Sequence, residues 1–453
     1  MLSAQGRELR RAGQPAQALV LVEQAMALRP DSADIANQHG ITLRQLSRAA
    51  EAVASFDRAI ALAPTLASAH ANRANALRDL GQREAAIDGY DRALSLNPGD
   101  ALAWQNRGVV LAELGLHALA LASLEKALSL DDSLVESHWN LALVLLRLGD
   151  FERGWREFEW RWHKPDIALS ARHFSKSRWT AGEPLAGRTM LVCAEQGLGD
   201  TLQFCRYLPW LSAQGARTKL LVQPELVTLL SGQLGITEVA TTGSRMPRFD
   251  ASCSLMSLSF FAGTRLDNIP LAGGYLQPPP ERLATWRERV ETLRKPRIGL
   301  VWSGRPDHGN DANRSLSLEQ LLLALPSGPH YVSLQNVVRA SDAKALRSRH
   351  DIAEYAPLLT DMAETAALCE CMDLVISVDT SVAHLAGALG KPVWLLLPFN
   401  PDWRWLLERD TSPWYEQMTL LRQSAPGDWR GVLGKLAARL QSSFPCSNSP
   451  AST

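Results

Sequence analysis

The sequence predicts an α-helical solenoid followed by a two-part α/β fold. Two observations carry this. A 34-residue period runs through the first third of the chain, and after Arg188 it gives way to short apolar runs alternating with helical segments. The length agrees: 453 residues, at ~100–200 residues per domain, make about three folded units. So does the composition, with 46% hydrophobic and 21% charged residues, which is ordinary for a chain that buries full-sized cores.

The period is visible in several columns. Pro30, Pro64 and Pro98 are 34 apart, as are Ala18, Ala52, Ala86 and Ala120, and again Ala25, Ala59, Ala93 and Ala127. Gly13, Gly81, Gly115 and Gly149 share the frame, with Ser47 at the remaining step, and Phe56, Tyr90, Leu124 and Phe158 form a large apolar column. Small residues belong where two helices cross closely, and the large residue fills the neighbouring hole. Gly permits the tight turn between helices, and Pro opens the next repeat. The pattern resembles the tetratricopeptide repeat. Four repeats run to about Asp132, and a degenerate fifth covers Val135 to Trp162, so the array is expected over 1–162.

Such arrays present a concave binding surface. Asn72, Asn106 and Asn140 recur at the same interval on the first helix of successive repeats, with Gln38 in the equivalent earlier place. A carboxamide both donates and accepts, so this row can pair with the backbone of an extended peptide. The alternative is that these side chains brace the helix pair. A similar asparagine ladder occurs in the superhelix of eukaryotic O-linked N-acetylglucosamine transferase, which the array resembles.

A Trp-rich linker is expected over 163–187, beside a cluster of Trp155, Trp160, Trp162 and Trp179 that suits apolar plates sealing a domain junction. An N-terminal Rossmann-like half follows at 188–280, with strands at Thr189–Ala194, Lys219–Val222 and Thr237–Ala240 and helices at Asp200–Ala213 and Pro224–Ser231. A second half at 281–441 has strands at Arg297–Trp302, Tyr331–Leu334, Leu374–Val378 and Val393–Leu397. Its helices are expected at about 281–293, 316–325, 342–350, 363–372, 381–389 and 431–440, and the tail 442–453 is expected to be disordered.

Ligands of open α/β sheets bind outside the carboxyl ends of strands. After the first strand comes Glu195-Gln196-Gly197-Leu198-Gly199-Asp200-Thr201. Gly197 and Gly199 let backbone approach a ligand, and Asp200 is either a helix N-cap or a general base facing the other half. After Leu374–Val378 comes Asp379-Thr380-Ser381-Val382-Ala383-His384. A helix start with two hydroxyls suits a diphosphate, and at 100° per residue His384 points away from the apolar Val382 face. The dipole contributes only ~0.3–1 kcal/mol per charge, so a cation is needed. Arg314 is the candidate, in the Ser303–Ser315 loop that also holds Arg305 and His308. Ser303 and Gln335, at strand ends, join Gly197, Gly199, Arg314, Asp379, Thr380, Ser381 and His384 in the expected donor-binding set.

Gly199–Phe204 and Asp379–Pro392 resemble the two signatures of glycosyltransferase family 9, the lipopolysaccharide heptosyltransferases of two-Rossmann GT-B fold. The likeness spans about Arg188 to Gln423 and implies that Asp200 is the base on the acceptor hydroxyl. It also implies that Asp379, Thr380 and His384 belong to a donor-phosphate motif, with Arg314 near the diphosphate. The family carries Gly where this chain has Ser381, and Pro398–Trp405 is longer and more aromatic than the family pattern. The combined architecture resembles bacterial proteins that join such repeats to a GT-B domain.

A zero net charge, 47 Lys+Arg against 47 Asp+Glu, argues against nucleic-acid binding. The absence of 18 consecutive apolar residues argues against a membrane span. Of the basic residues 39 are Arg and 8 are Lys, through either phosphate binding or genomic base composition. Six scattered cysteines, Cys193, Cys205, Cys253, Cys369, Cys371 and Cys446, without metal spacing, and an N-terminus without an apolar leader, suit a reducing cytoplasm. No Asp-x-Asp motif occurs, so no metal and no cofactor beyond the nucleotide-sugar substrate are expected. The expected function is metal-independent sugar transfer to a protein or peptide in the repeat groove. Its rivals are a non-catalytic adaptor with a degenerate GT-B module and a sugar-nucleotide epimerase.

Overall fold

In the computed structural model, residues 1–165, 167, 178–180, 182–241, 243–307 and 309–444 are described. His308, residues 445–453 with Cys446, and residues 166, 168–177 and 181 of the Trp-rich linker lie outside them. The chain divides into two compact units, Met1–Leu145 and Leu146–Thr453.

The first unit is built of paired helices: α1 (Leu2–Arg11), α2 (Pro15–Leu28), α3 (Ala33–Gln45), α4 (Ala49–Leu62), α5 (Ala67–Asp79), α6 (Arg83–Leu96), α7 (Ala101–Glu113) and α8 (His117–Leu130), with α9 (Val135–Leu148) running into the second unit. The sequence columns explain the pairing. Ala18, Ala52, Ala86 and Ala120 are fully buried where helices cross, and Phe56, Tyr90 and Leu124 fill the adjoining space with no exposure. The turns need a left-handed residue: Gly13, Gly81 and Gly115 sit at φ 75°, 76° and 77°, and Ser47 holds the same turn at φ 60°. Polar N-caps recur; Ser32 accepts from the Ile35 N–H and Asp100 from that of Ala103.

The second unit opens with α10 (Phe151–Phe158) and holds two all-parallel sheets. The first has the order β3-β2-β1-β4, with β1 Thr189–Cys193, β2 Arg217–Val222, β3 Ile236–Thr241 and β4 Ala251–Ser254. The second runs β10-β9-β8-β5-β6-β7, with β5 Arg297–Val301, β6 His330–Ser333, β7 Ile352–Glu354, β8 Leu374–Val378, β9 Val393–Leu397 and β10 Met418–Arg422. Both orders are doubly wound, so each sheet has a point where the winding reverses, beside β1 in one and between β5 and β8 in the other. Residues of β8 and β9 are buried throughout, as strands covered on both faces must be.

Every strand expected from the sequence is present, and β4, β7 and β10 are additional. The expected helix Asp200–Ala213 is three pieces, α11 (Leu198–Phe204), a 3₁₀ turn Cys205–Tyr207 and a helix Leu208–Ala213. Pro209, which has no N–H for the ladder, stands in the first turn of the last piece and marks the break. Asp200 is therefore not the N-cap: Gly197 is, and Asp200 lies three residues inside. Other helices are shorter than expected, Leu318–Leu322 and Ala343–Arg347 among them, whereas Trp429–Ser443 is longer.

Candidate active site

The loops after β1, β5 and β8 emerge at carboxyl ends flanking the winding reversals, and the structure brings the first and last face to face. The helix that follows β8, α12 (Ser381–Ala388), packs on α11. Gly199 sets the approach: a Cβ there would lie 2.9 Å from His384 Cδ2.

Asp200 is gripped at both oxygens. Its Oδ2 accepts the Gly197 N–H at 2.8 Å, and its Oδ1 accepts from Arg404 Nη2 across the interface of the two sheets' loops. Gln223 fixes this loop from the end of β2, donating to the Gln196 carbonyl at 2.7 Å and accepting from Thr201 Oγ1 at 3.0 Å. Burial pushes the Asp200 carboxyl up and Arg404 opposes it.

Arg404 was not singled out from sequence. Its Nη1 donates to Asp402 Oδ1 at 2.9 Å, and its Nε donates to Gln203 Oε1. Burial disfavours its charge, but Asp402 and Asp200 outweigh burial and hold it firmly protonated. Burial likewise works against the Asp402 carboxylate, but Arg404 prevails and holds it below the usual range. The signal in the sequence was a charged pair, Asp402 and Arg404, inside an aromatic run.

On the opposite wall, Thr380 caps α12, its hydroxyl 3.2 Å from Ser377 Oγ. Ser381 is half-buried at the helix start. Arg314 lies against Gly304 and donates from Nη1 to the Asp379 carbonyl at 2.9 Å. Arg339 holds the Arg314 loop, donating to Asp311 Oδ2 at 2.6 Å and to the Gly304 carbonyl at 2.8 Å. The Asp379 carboxyl is raised to about 6, through burial and the neighbouring Asp402. The Trp405 N–H lies near enough to lower it in part, though outside hydrogen-bonding geometry.

His384 is buried, not turned to open solvent. Its Nδ1 lies 2.9 Å from Tyr415 Oη, and its ring stacks on Trp405 at 5.2 Å. Burial and Arg404 lower its pKa to about 3, so the imidazole is neutral. Ser303 and Gln335 pair with each other: Gln335 Oε1 accepts the N–H groups of Trp302 and Ser303 at 3.0 and 2.9 Å, and its Nε2 donates to Ser303 Oγ at 3.1 Å. They shape the turn after β5.

The asparagines lie in the first unit and are half-buried. Asn72 Nδ2 donates to Asn37 Oδ1 at 3.0 Å, Asn106 Nδ2 to Asn75 Oδ1 at 3.1 Å, and Asn140 Nδ2 to the Glu136 carbonyl at 2.7 Å. Their N–H groups thus brace neighbouring side chains and backbone.

Among the described residues no group of His, Cys, Asp and Glu side chains could hold a metal ion, and no helix is long and apolar enough to cross a membrane.

These features resemble a tetratricopeptide-repeat array joined to a glycosyltransferase family 9-like α/β domain. Family models agree on both parts. Glycosyltransferase family 9 (heptosyltransferase) matches residues 325–397, and tetratricopeptide-repeat models match 3–67, 74–115 and 101–133. The α12 motif falls within the first match and Asp200 outside it. Protein FlbA of Caulobacter vibrioides is 27% identical over 326 residues, covering 66% of this chain. The chain spans about half, 54%, of that relative's length. Similar solved structures include a thermophilic TPR protein of Thermus thermophilus, at 24% identity, covering 38% of this chain and 94% of that one with a TM-score of 0.34. MamA of Desulfovibrio magneticus is 20% identical, with 38% and 95% coverage and a TM-score of 0.32.

Proposed function

We propose that residues 146–453 catalyse metal-independent transfer of a sugar from a nucleotide-sugar donor to an acceptor hydroxyl, and that the repeats bind the protein or peptide acceptor. The observation that carries this reading is the meeting of Asp200, on the α11 side, with the start of α12, on the other half. A diphosphate would rest on Thr380, Ser381 and the free N–H groups of α12, with Arg314 as counter-charge. The acceptor oxygen attacks the anomeric carbon, and its proton passes to an Asp200 oxygen. The bond from that carbon to the phosphate oxygen breaks, and its electron pair leaves with the nucleoside diphosphate. The repeats support a protein partner. Asn72, Asn106 and Asn140 each give one Nδ2 hydrogen to a neighbour within the array, which leaves the Oδ1 acceptor and the second N–H for a peptide backbone.

The test is a donor panel of UDP-, ADP-, GDP- and CMP-sugars with mass spectrometry of co-purified partners. Asp200→Asn is expected to abolish turnover while nucleotide binding persists, and full activity in that variant would remove Asp200 as the base. A second reading, a non-catalytic adaptor, is favoured by one observation: both Asp200 oxygens are engaged. Absence of binding across the whole panel would establish it.

A further inference from the structure

We infer that Arg404 is a switch on the base: it holds Asp200 in the free protein and transfers to the diphosphate of a bound donor, releasing one Asp200 oxygen for the acceptor's proton. The inference rests on the transferase reading above.

Each Asp200 oxygen keeps a lone pair beyond its one bond, but a carboxylate paired with a guanidinium is a weakened proton acceptor, and losing that partner strengthens it. The Gly197 N–H belongs to the backbone at the start of α11, in a loop pinned by Gln223, and is fixed. Arg404 is a long side chain and the movable partner. It stands on the half that carries α12, with its neighbour Trp405 stacked on His384 and its charge also felt by Asp379. A donor phosphate arriving at α12 therefore meets a guanidinium already in the site, whose fork suits phosphate as well as carboxylate.

The surrounding shell is short of acceptors. Gln203, fully buried, has an Nε2 with no partner, and Arg314 Nε is also unpartnered among the described residues. Phosphate oxygens are the kind of acceptor that these donors lack. Release also improves the base, because burial raises the Asp200 carboxyl and Arg404 is the main opposing charge. The base would thus be unmasked only when donor is present.

The experiment is calorimetric titration of the full chain with UDP, ADP and GDP, using wild type, Asp200→Asn, Arg404→Gln and the double variant. Asp200→Asn frees Arg404 for phosphate. Whichever nucleotide binds is expected to bind about tenfold tighter, equivalent to ~1.4 kcal/mol. Arg404→Gln is expected to weaken binding, and in that background the gain from Asp200→Asn should vanish. A gain that persists without Arg404 would overturn the switch, since it would reflect only the loss of a negative charge. No gain at all would overturn it too. If Arg404→Gln does not fold, Arg404→Lys replaces it, with a gain from Asp200→Asn reduced below that in wild type. If none of the nucleotides binds wild type or Asp200→Asn, the transferase reading itself falls, an outcome distinct from binding without a gain.

Discussion

Ser47 occupies a turn that the other repeats give to glycine. Its φ of 60° matches the 75° to 77° of Gly13, Gly81 and Gly115, but a Cβ makes that region costly. Ser47→Gly is expected to stabilise the repeat unit by about 1 kcal/mol, seen as a higher melting temperature in thermal unfolding; a lower one would contradict the strain argument. A second residue-scale expectation concerns Asp379. Its folded pKa, raised to about 6 by burial and Asp402, lies above the unfolded value of about 3.9. Its ionisation therefore opposes folding. The penalty is absent below the unfolded value, grows as pH rises towards 6 and is complete above it. Asp379→Asn is expected to melt higher than wild type near neutral pH, with the advantage fading as pH falls to about 4. Equal melting at neutral pH would show that the fold carries no such penalty.

At the scale of elements, α10 and the 3₁₀ turn Glu159–His163 belong structurally to the α/β unit. Phe151 stacks on Trp414 at 5.6 Å, and Trp155 meets Phe204, Trp403 and Trp414 edge-on. Arg161, with no exposure, ties the turn to the end of β1 through Glu195 at 2.8 Å, to Glu159 at 2.6 Å and to Ser257 at 2.8 Å. Removing one partner of a buried pair costs about 3–5 kcal/mol, so Arg161→Met is expected to lower stability by that order in urea unfolding. A loss below about 1 kcal/mol would mean the pair is replaceable. This element also shows what sequence can and cannot display. The repeat columns were legible because each records a local helix crossing at a fixed interval. So were β1, β5, β8 and β9, whose apolar runs reflect burial on both faces. Strand β4, Ala-Ser-Cys-Ser, was not: its small side chains are buried but carry no hydrophobic pattern. Arg404 was hidden because its meaning lies in Asp200, 204 positions earlier, and Glu195 because its partner comes from Arg161.

At the scale of the whole chain, the zero net charge separates into two opposed parts. Residues 1–162 hold 17 basic and 20 acidic side chains, and residues 163–453 hold 30 and 27. Three surplus charges spread over so long a segment would attract the proposed anionic donor weakly, so in the proposed reaction specificity comes from placed groups: Arg314, Arg404 and the start of α12. The two proposed ligands therefore address different parts of the chain. Ligand binding stabilises the segment that holds the site, by ~2.7 kcal/mol at a concentration of 100 times Kd. Hydrogen exchange reads this locally. A nucleotide that binds is expected to slow exchange of the amides in 197–204 and 379–388 and leave those of α5 and α7 unchanged. A bound acceptor peptide is expected to protect α5, α7 and α9, where Asn72, Asn106 and Asn140 stand. Nucleotide protection confined to the repeats, or peptide protection that spares them, would reverse the assignment of the two ligands and with it the division of labour between the units.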